Sequence, residues 1–337
     1  MSQPFAKIFI GGTGRSGTTI LLHGLYRHPD LYAVPIETKF LVSSSGMCDL
    51  VDALTTRYAI GTACDALERF DRLMRFLLTE RERPVGTEFN VLEIFGEENY
   101  YKALNAFVDR LTRLTFVTRF PPGRFGQHHY PSEVTGANRV MGRFFPDRQE
   151  LLSICRQFVD ALFQRNAEAR GKNGWVEKTP ANLMRLEFLQ ELYPDSLFIH
   201  IKRDPRGVIY SQTKQPWAPG DVREAARYME DTYRAWFDRR KQLNLSARRY
   251  LEVTLEELVA DTFGTLNRIA DAANIAPYSR DAVSLVVEAM ERYWGCPLDS
   301  AEIALKLNPW RNALSAEDLG WLNAHVGEFV EGMGFEI

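Results

Sequence analysis

The chain has 337 residues, 45% of them hydrophobic and 25% charged, and its formal net charge is −3. These values are typical of a globular protein with a substantial core, and the nearly balanced charge argues against binding to nucleic acid or an anionic membrane surface. Four scattered cysteines without a CxxC pair predict neither a disulfide framework nor a zinc site. Without a basic and apolar leader or a run approaching the ~20 apolar residues of a membrane span, we expect a cytoplasmic protein.

A strand, a glycine-rich loop and a helix are predicted at the start of the chain. Gly12 and Gly17 have the separation of the Walker A glycines, but Thr18 occupies the position of the Walker lysine. Arg15 supplies a cation within the loop instead. Because backbone N–H groups and a helix N-terminus bind phosphate, we predict that this loop binds a nucleotide 5′-phosphate with Arg15 beside the attached group. The binding residues would be Gly12, Thr13, Gly14, Arg15, Ser16, Gly17, Thr18 and Thr19.

Short apolar runs alternate with helical periodicity through much of the chain, which predicts an α/β fold with a P-loop-NTPase-like central parallel sheet flanked by helices. Besides Ile8 to Ile10, the predicted strands are Leu31 to Val34, Trp175 to Glu177, Leu197 to Ile201 and Tyr250 to Val253. The predicted helices are 17–28, 149–170, 182–192, 205–215, 222–243, 262–273, 279–293 and 316–333.

Residues 40–170 lie between the first loop and the second strong strand, and we interpret them as a mostly helical insertion that binds the acceptor. Helix-like periodicity is present at 64–78 and 100–114, followed by an irregular stretch at 118–146 rich in arginine and aromatic residues. No repeat or low-complexity linker interrupts the chain, so we predict one domain over 1–337 with this insertion inside it.

A second anion site is predicted at the end of the strand Leu197 to Ile201. Lys202 and Arg203 follow this strand, and Asp204 with Pro205 is the preferred chemistry for starting a helix. Ligands bind at the carboxyl edge of parallel sheets, where Arg203 would grip a phosphate in a planar, two-pronged contact. The alternative is a structural ion pair between Arg203 and Asp204. Two further residues reach the same edge in this interpretation: Ser211 as a phosphate ligand and Lys178 as a cation.

The segments GTGRSGTT and IKRDPRGVIYS together resemble the two cofactor signatures of sulfotransferases that use 3′-phosphoadenosine 5′-phosphosulfate (PAPS). The resemblance extends to WVEKTP at 175–180, LEVTLEELVAD at 251–261 and NPWRNALS at 308–315, and leaves about 40–170 uncovered. The arginine in the loop is similar to the bacterial, carbohydrate and tyrosylprotein branch of the family. This chain departs from the family pattern at two positions. Leu255 stands where family members commonly have a tyrosine, and Pro309 stands where they often have a basic residue.

The resemblance implies a metal-independent transfer of the sulfuryl group of PAPS to a hydroxyl, with release of 3′-phosphoadenosine 5′-phosphate (PAP). It places Arg203 and Ser211 on the 3′-phosphate, with Arg311 as a further phosphate ligand, and Arg15 with Lys178 on the departing 5′-phosphate. HPDLYAVPIETK, at 28–39, resembles a tyrosylprotein sulfotransferase segment and places Glu37 as the general base. Other candidates for the base are His23, His28, His128 and His129.

The implied acceptor is a carbohydrate or another small molecule, and the oligomeric state is open. Two other hypotheses also fit a phosphate loop. One is a small-molecule or nucleoside kinase with an atypical Walker loop, against which the missing lysine after Gly17 argues. The other is a binding protein that has kept a nucleotide fold without catalysis.

Overall fold

A computed structural model describes residues 5–78, 90–117 and 138–337 of the chain. Its strands are β1 (Ala6–Gly11), β2 (Tyr32–Ala33), β3 (Thr112–Val117), β4 (Asn138–Gly142), β5 (Gly174–Lys178), β6 (Leu197–Lys202) and β7 (Tyr250–Thr254). The helices are α1 (Thr18–Tyr26), α2 (Met47–Leu54), α3 (Ile60–Phe76), α4 (Val91–Phe95), α5 (Glu97–Leu111), α6 (Arg148–Glu168), α7 (Leu186–Leu192), α8 (Pro205–Gln212), α9 (Val222–Gln242), α10 (Leu255–Ala260), α11 (Thr262–Ala273), α12 (Arg280–Trp294), α13 (Ala301–Leu307), α14 (Trp310–Ala313) and α15 (Ala316–Gly332). Two 3₁₀ helices span Pro180–Arg185 and Leu245–Ala247.

The chain divides into two compact units. The first contains 1–34, 167–190 and 194–337, and the second contains 35–166 with 191–193. The second unit occupies nearly the same part of the chain as the predicted insertion 40–170, whose role in acceptor binding stays a prediction.

A five-stranded sheet in the order β2-β5-β1-β6-β7 forms the centre of the first unit. Every neighbouring pair in it is parallel, and β1 lies between β5 and β6. The apolar runs become buried strands because both faces of a parallel sheet are covered. All five predicted strands are present, and the predicted α/β fold with a central parallel sheet is confirmed.

Helices α1, α11 and α12 contribute to one continuous apolar core with the sheet. Leu21 and Leu25 of α1 pack in this core with Ile8 and Ile10 of β1 and with Leu266 of α11. All five side chains are fully buried. The core therefore holds α1, and with it the loop that precedes α1, against the middle strand of the sheet.

The second unit combines helices with a two-stranded hairpin. Strands β3 and β4 pair antiparallel, and Arg139 of β4 contacts Asp65 at 2.7 Å and Glu68 at 3.0 Å on α3. Two predictions are corrected here. The helix expected over 100–114 ends at Leu111, where β3 begins, and the stretch 118–146 expected to be irregular contains strand β4. The remainder of that expected stretch, 118–137, lies outside the described residues.

Several elements are absent from the sequence-based prediction. Five of the fifteen α-helices within 5–78, 90–117 and 138–337 are additions to the prediction: α2, α4, α10, α13 and α14. The helix predicted over 182–192 begins as the 3₁₀ helix Pro180–Arg185 and continues as α7. Among the described residues, none of the helices has the length and apolar character needed to cross a bilayer.

Candidate nucleotide-binding site

The loop between β1 and α1 has a backbone conformation suited to binding an anion. Gly14, Arg15 and Gly17 have positive φ angles of 72°, 56° and 99°. The left-handed region favours glycine because it has no Cβ, and such turns direct backbone N–H groups into a concavity. Thr18 opens α1 directly after Gly17. The free N–H groups of the first helical turn therefore add to those of the loop.

Gly17→Ala tests the conformation of this loop. A Cβ at Gly17 would lie 2.8 Å from Cδ1 of Leu255 and would be forced into the positive-φ region. We expect the variant to lose about 1–3 kcal/mol of stability. Since the loop is predicted to bind the 5′-phosphate of the nucleotide, we also expect the variant to lose affinity for PAP. Gly220→Ala is the matched control, since nothing lies within 4 Å of a Cβ there. Thermal unfolding with and without PAP measures both effects, and equal behaviour of the two variants would contradict this account.

A pocket of about 370 Å³ lies at the N-terminus of α1 in the first unit. The structure brings six predicted binding residues together in its lining: Arg15, Gly17, Thr18, Thr19, Arg203 and Ser211. Eight further lining residues were not predicted: Ile20, Tyr210, Lys214, Leu255, Tyr293, Trp294, Lys306 and Pro309.

Hydrogen bonds join Arg15 to the residues of the second predicted anion site. Its Nε donates to Oγ of Ser211 at 3.1 Å, and its backbone carbonyl accepts from Arg203 at 3.2 Å. Arg203 also donates to the carbonyl of Leu307. Burial lowers the pKa of Arg203; Glu256 opposes this and the charge of Arg15 reinforces it. Because the ordinary pKa of arginine lies far above neutral pH, Arg203 stays charged at neutral pH.

The pocket is strongly cationic. Arg15, Arg203, Lys214 and Lys306 line it, and none of its lining residues carries a carboxylate. Such a concentration of positive charge with backbone N–H groups favours a ligand that carries more than one negative charge. In the described part of the chain, no group of three or more His, Cys, Asp or Glu residues could hold a metal ion.

In the structure Asp204 pairs with Arg206 and not with Arg203, while phosphate binding by Arg203 stays a prediction. The Asp204 carboxylate accepts from the backbone N–H of Arg206 at 2.9 Å, which confirms it as the N-cap of α8. It also forms an ion pair with the guanidinium of Arg206 at 2.8 Å. The carboxylate of Asp204 is therefore committed to Arg206, and Arg203 lines the pocket.

Lys202 points into a different polar cluster from Arg203. Its Nζ contacts Glu252 at 2.7 Å, and Arg240 approaches the same carboxylate at 3.2 Å. Although burial acts to raise the pKa of Glu252, the hydrogen bond from Lys202 and both positive charges hold it below its usual value. Burial lowers the pKa of neighbouring His200 to about 3, so this histidine is a neutral core residue on β6.

Lys178 ends β5 beside Ile10 of β1 and is buried, but it does not line the pocket. The preceding Glu177 is fully buried and accepts hydrogen bonds from Thr179 at 2.7 Å and Asn182 at 2.6 Å. Asn182 also donates to the carbonyl of Ile10 at 3.0 Å. This network ties β5 to β1 at the edge where the phosphate loop begins.

Two of the histidine candidates for the base lie on α1 or just after it: His23 and His28. Burial lowers the pKa of His23, and the charges of Lys178 and Arg27 lower it further. His28 instead lies 2.7 Å from the carbonyl of Ala276 through Nε2 and has a structural role. His128 and His129 lie outside the described residues.

The remaining predicted site residues do not line the pocket. Glu37 belongs to the second unit, is partly buried, and its role stays a prediction. Arg311 is exposed, and its guanidinium lies 4.6 Å from the ring centre of Trp310, outside the pocket lining. Within the loop, Gly12, Thr13, Gly14 and Ser16 also do not line the pocket, and Ser16 is fully buried.

Two missed cations had signals in the sequence. Lys214 follows Ser211 by three residues, which is one helical turn, and Lys306 stands two residues before the NPWR segment. The aromatic pair Tyr293 and Trp294, with ring centres 5.3 Å apart, had no comparable motif. Its place in the pocket depends on how α12 packs.

Comparison with known proteins finds matches in sequence. The sulfotransferase family model matches residues 94–279, which is more than half of the chain. Nodulation protein NoeE of Sinorhizobium fredii is 34% identical over 99 residues, covering 29% of this chain and 23% of NoeE. Omega-hydroxy-beta-dihydromenaquinone-9 sulfotransferase Stf3 of Mycobacterium tuberculosis is 25% identical over 188 residues, covering 52% of this chain and 44% of Stf3. The chain thus spans less than half the length of these curated relatives.

Two solved structures share the fold along the whole chain. The sulfotransferase domain of the Synechococcus PCC 7002 olefin synthase has a TM-score of 0.50 at 19% identity, covering 100% of this chain and 97% of its own. The sulfotransferase domain from the curacin biosynthetic pathway has a TM-score of 0.51 at 15% identity, with 100% of both chains covered. At these identities the likeness concerns the fold alone. The family match, supported by the parallel sheet and its phosphate loop, shows that the chain belongs to the sulfotransferase family.

Proposed function

We propose that this protein transfers the sulfuryl group of PAPS to a hydroxyl of a carbohydrate or small-molecule acceptor and releases PAP. The observation that carries the proposal is one pocket lined by both the phosphate loop and the pair Arg203 and Ser211. A nucleotide phosphorylated at two positions needs two such anion sites.

The pocket suits this nucleotide in size and chemistry. Its volume of about 370 Å³ falls in the range of about 300–1,000 Å³ common for small-molecule sites. Four cations balance the charge of two phosphate groups, since each carries about −1.5 to −2 at neutral pH. Tyr293 and Trp294 supply aromatic surface for the adenine, in place of the family tyrosine that Leu255 replaces.

In the proposed reaction the acceptor oxygen attacks sulfur while the bond from sulfur to the 5′-phosphate oxygen breaks. Negative charge develops on the departing phosphate, and Arg15 with the N-terminus of α1 would stabilise it. Lys178 would assist from the end of β5. The acceptor proton would pass to Glu37. PAP leaves with both of its phosphates, and the sulfated acceptor is the other product.

A hydroxyl acceptor is supported by one of the curated relatives. The name of Stf3 describes a sulfotransferase for omega-hydroxy-beta-dihydromenaquinone-9, a molecule that carries a hydroxyl group. Because this chain covers only part of that relative, we propose the same reacting group, a hydroxyl, and not the same acceptor molecule. A PAPS consumption screen over sugars, glycolipids, peptide tyrosines, hydroxylated metabolites and amines identifies the acceptor.

Nucleotide-dependent thermal unfolding separates the proposal from a kinase or a non-catalytic binding protein. A ligand at 100 times its Kd stabilises the folded state by about 2.7 kcal/mol. We expect this stabilisation with PAP, and much less with ATP or ATP with magnesium. Preference for ATP with magnesium would favour the kinase. Selective PAP binding without PAPS turnover, across the acceptor screen, would favour the non-catalytic alternative.

Glu37→Gln tests the proposed base. Removing a general base lowers turnover by about 10²-fold or more, while the amide has nearly the same size and should leave PAP binding intact. Initial rates at saturating PAPS, with PAP affinity measured in parallel, test this expectation. Unchanged turnover would move the base to another residue, and His23→Gln is then the next variant to assay.

A further inference from the structure

We propose that Lys214 and Lys306 bind the second phosphate of the nucleotide beside Ser211, and thereby select a doubly phosphorylated nucleotide. This inference rests on the proposed function and deepens it. It assigns phosphate binding to two lysines outside the recognised motifs. It also makes Arg203 a residue that positions the phosphate loop, besides contributing positive charge to the pocket.

Lys214 is placed by the end of α8. Its backbone N–H donates to the carbonyl of Ser211 at 3.4 Å, which continues the helical turn beyond Gln212. Its Nζ lies 4.6 Å from the ring centre of Tyr210, and both side chains line the pocket. Tyr210 is partly buried but Lys214 is exposed, so water screens this contact and the ammonium keeps its capacity to bind phosphate.

Lys306 reaches the same pocket from the last turn of α13. The next residue, Leu307, accepts a hydrogen bond from Arg203 through its carbonyl, which holds the end of α13 beside the second anion site. Nζ of Lys306 lies 3.3 Å from Glu302, one turn earlier, and both side chains are about half exposed. Exposed pairs of this kind contribute little because water screens them, so exchanging this carboxylate for a phosphate costs little.

Arg203 has donors already committed to the protein. One terminal nitrogen donates to the carbonyl of Arg15 and the other donates to the carbonyl of Leu307. A Cβ at Gly207 would lie 3.0 Å from its Nε, so the guanidinium rests closely on the backbone of α8. Arg203 therefore fastens the phosphate loop to α13, and only its buried Nε has no hydrogen-bond partner in the described structure. Since a phosphate carries about −1.5 to −2 charges, neutralising a second phosphate calls for the additional charges of Lys214 and Lys306.

Isothermal titration with PAP and AMP tests this assignment, because AMP shares the adenosine and 5′-phosphate but lacks the 3′-phosphate. A hydrogen bond to a charged group contributes about 1.5–3 kcal/mol, which corresponds to about 10-fold or more in affinity. We expect Lys214→Met and Lys306→Met each to weaken PAP by about 10-fold and to leave AMP unchanged. Lys241→Met is the matched control, since Lys241 is an exposed helix lysine paired with Asp238 at 3.0 Å.

Several outcomes would overturn the inference. Equal losses for PAP and AMP would place the lysines on the 5′-phosphate, and unchanged PAP affinity would remove them from the site. A larger PAP loss in Arg311→Met than in Lys306→Met would return the role to Arg311. Failure of the wild-type protein to bind PAP would instead refute the proposed function itself. The lysines are not part of the buried core, so unfolding curves should show that both variants fold.

Discussion

Replacing Arg15 by alanine should lower turnover with PAPS by about 10²–10³-fold, the usual loss when one preorganised donor to developing charge is removed. Folding should be almost unaffected. The side chain of Arg15 is exposed, and its hydrogen bond to Ser211 is at the surface. The carbonyl that accepts from Arg203 belongs to the backbone and remains in the variant.

The kinetic form of this loss identifies what Arg15 does. If Arg15 acts on the departing phosphate, kcat falls while the affinity for PAPS changes little, and PAP, whose 5′-phosphate carries the fully developed charge, binds more weakly. Arg15→Lys should retain part of the activity because it keeps the charge, and Arg27→Ala, an exposed arginine at the end of α1, is the matched control. A PAPS affinity that falls as far as kcat/KM would make Arg15 a ground-state ligand, and wild-type turnover would refute its role.

Asp204→Ala should destabilise the protein by about 3–5 kcal/mol, the usual cost of leaving a buried charge without its partner. Asp204 and Arg206 are each only 3% exposed, and the guanidinium of Arg206 would lose two contacts, at 2.8 and 3.0 Å. The variant also removes the N-cap of α8, the helix that carries Ser211. PAP affinity should therefore fall together with stability.

Asp221→Ala is the matched control for this effect. Asp221 is also a helix N-cap, accepting from the N–H groups of Arg223 and Glu224 at 2.9 and 3.0 Å, but it is exposed. Its loss should cost about 1 kcal/mol. Urea unfolding compares the two, and similar midpoint shifts would contradict the buried-charge argument. The double change Asp204→Ala with Arg206→Met should cost less than Asp204→Ala alone, because no charge is then left unpaired.

Local signals explain why much of the site was predictable. The loop from Gly12 to Thr19 joins a buried strand to a helix, and two of its glycines, Gly14 and Gly17, have positive φ. Asp204 and Pro205 identify the start of α8 from residue type alone. Arg203 and Ser211 are eight residues apart on the strand end and the helix, so their proximity follows from a short stretch of chain.

Pairing across the chain explains what the sequence did not reveal. The strand β3 follows a strongly periodic helix, so the helical pattern concealed its first residues, and its partner β4 lies beyond 118–137. Asp204 has cations on both sides within two residues, and sequence alone could not decide between them. The structure assigns Arg206, which also contacts Asn323 at 3.1 Å and lies 4.4 Å from the ring centre of Trp310.

The sequence by itself determined the parallel sheet and the glycine-rich loop between β1 and α1, and it predicted two anion-binding segments, because each depends on residues close together in the chain. Only the tertiary structure decided that both segments line one pocket and that Lys214, Lys306 and the pair Tyr293 and Trp294 join them. The contact between Arg203 and Leu307 joins residues 104 positions apart. Such contacts form only when distant helices pack on the same sheet edge, and local periodicity carries no record of them.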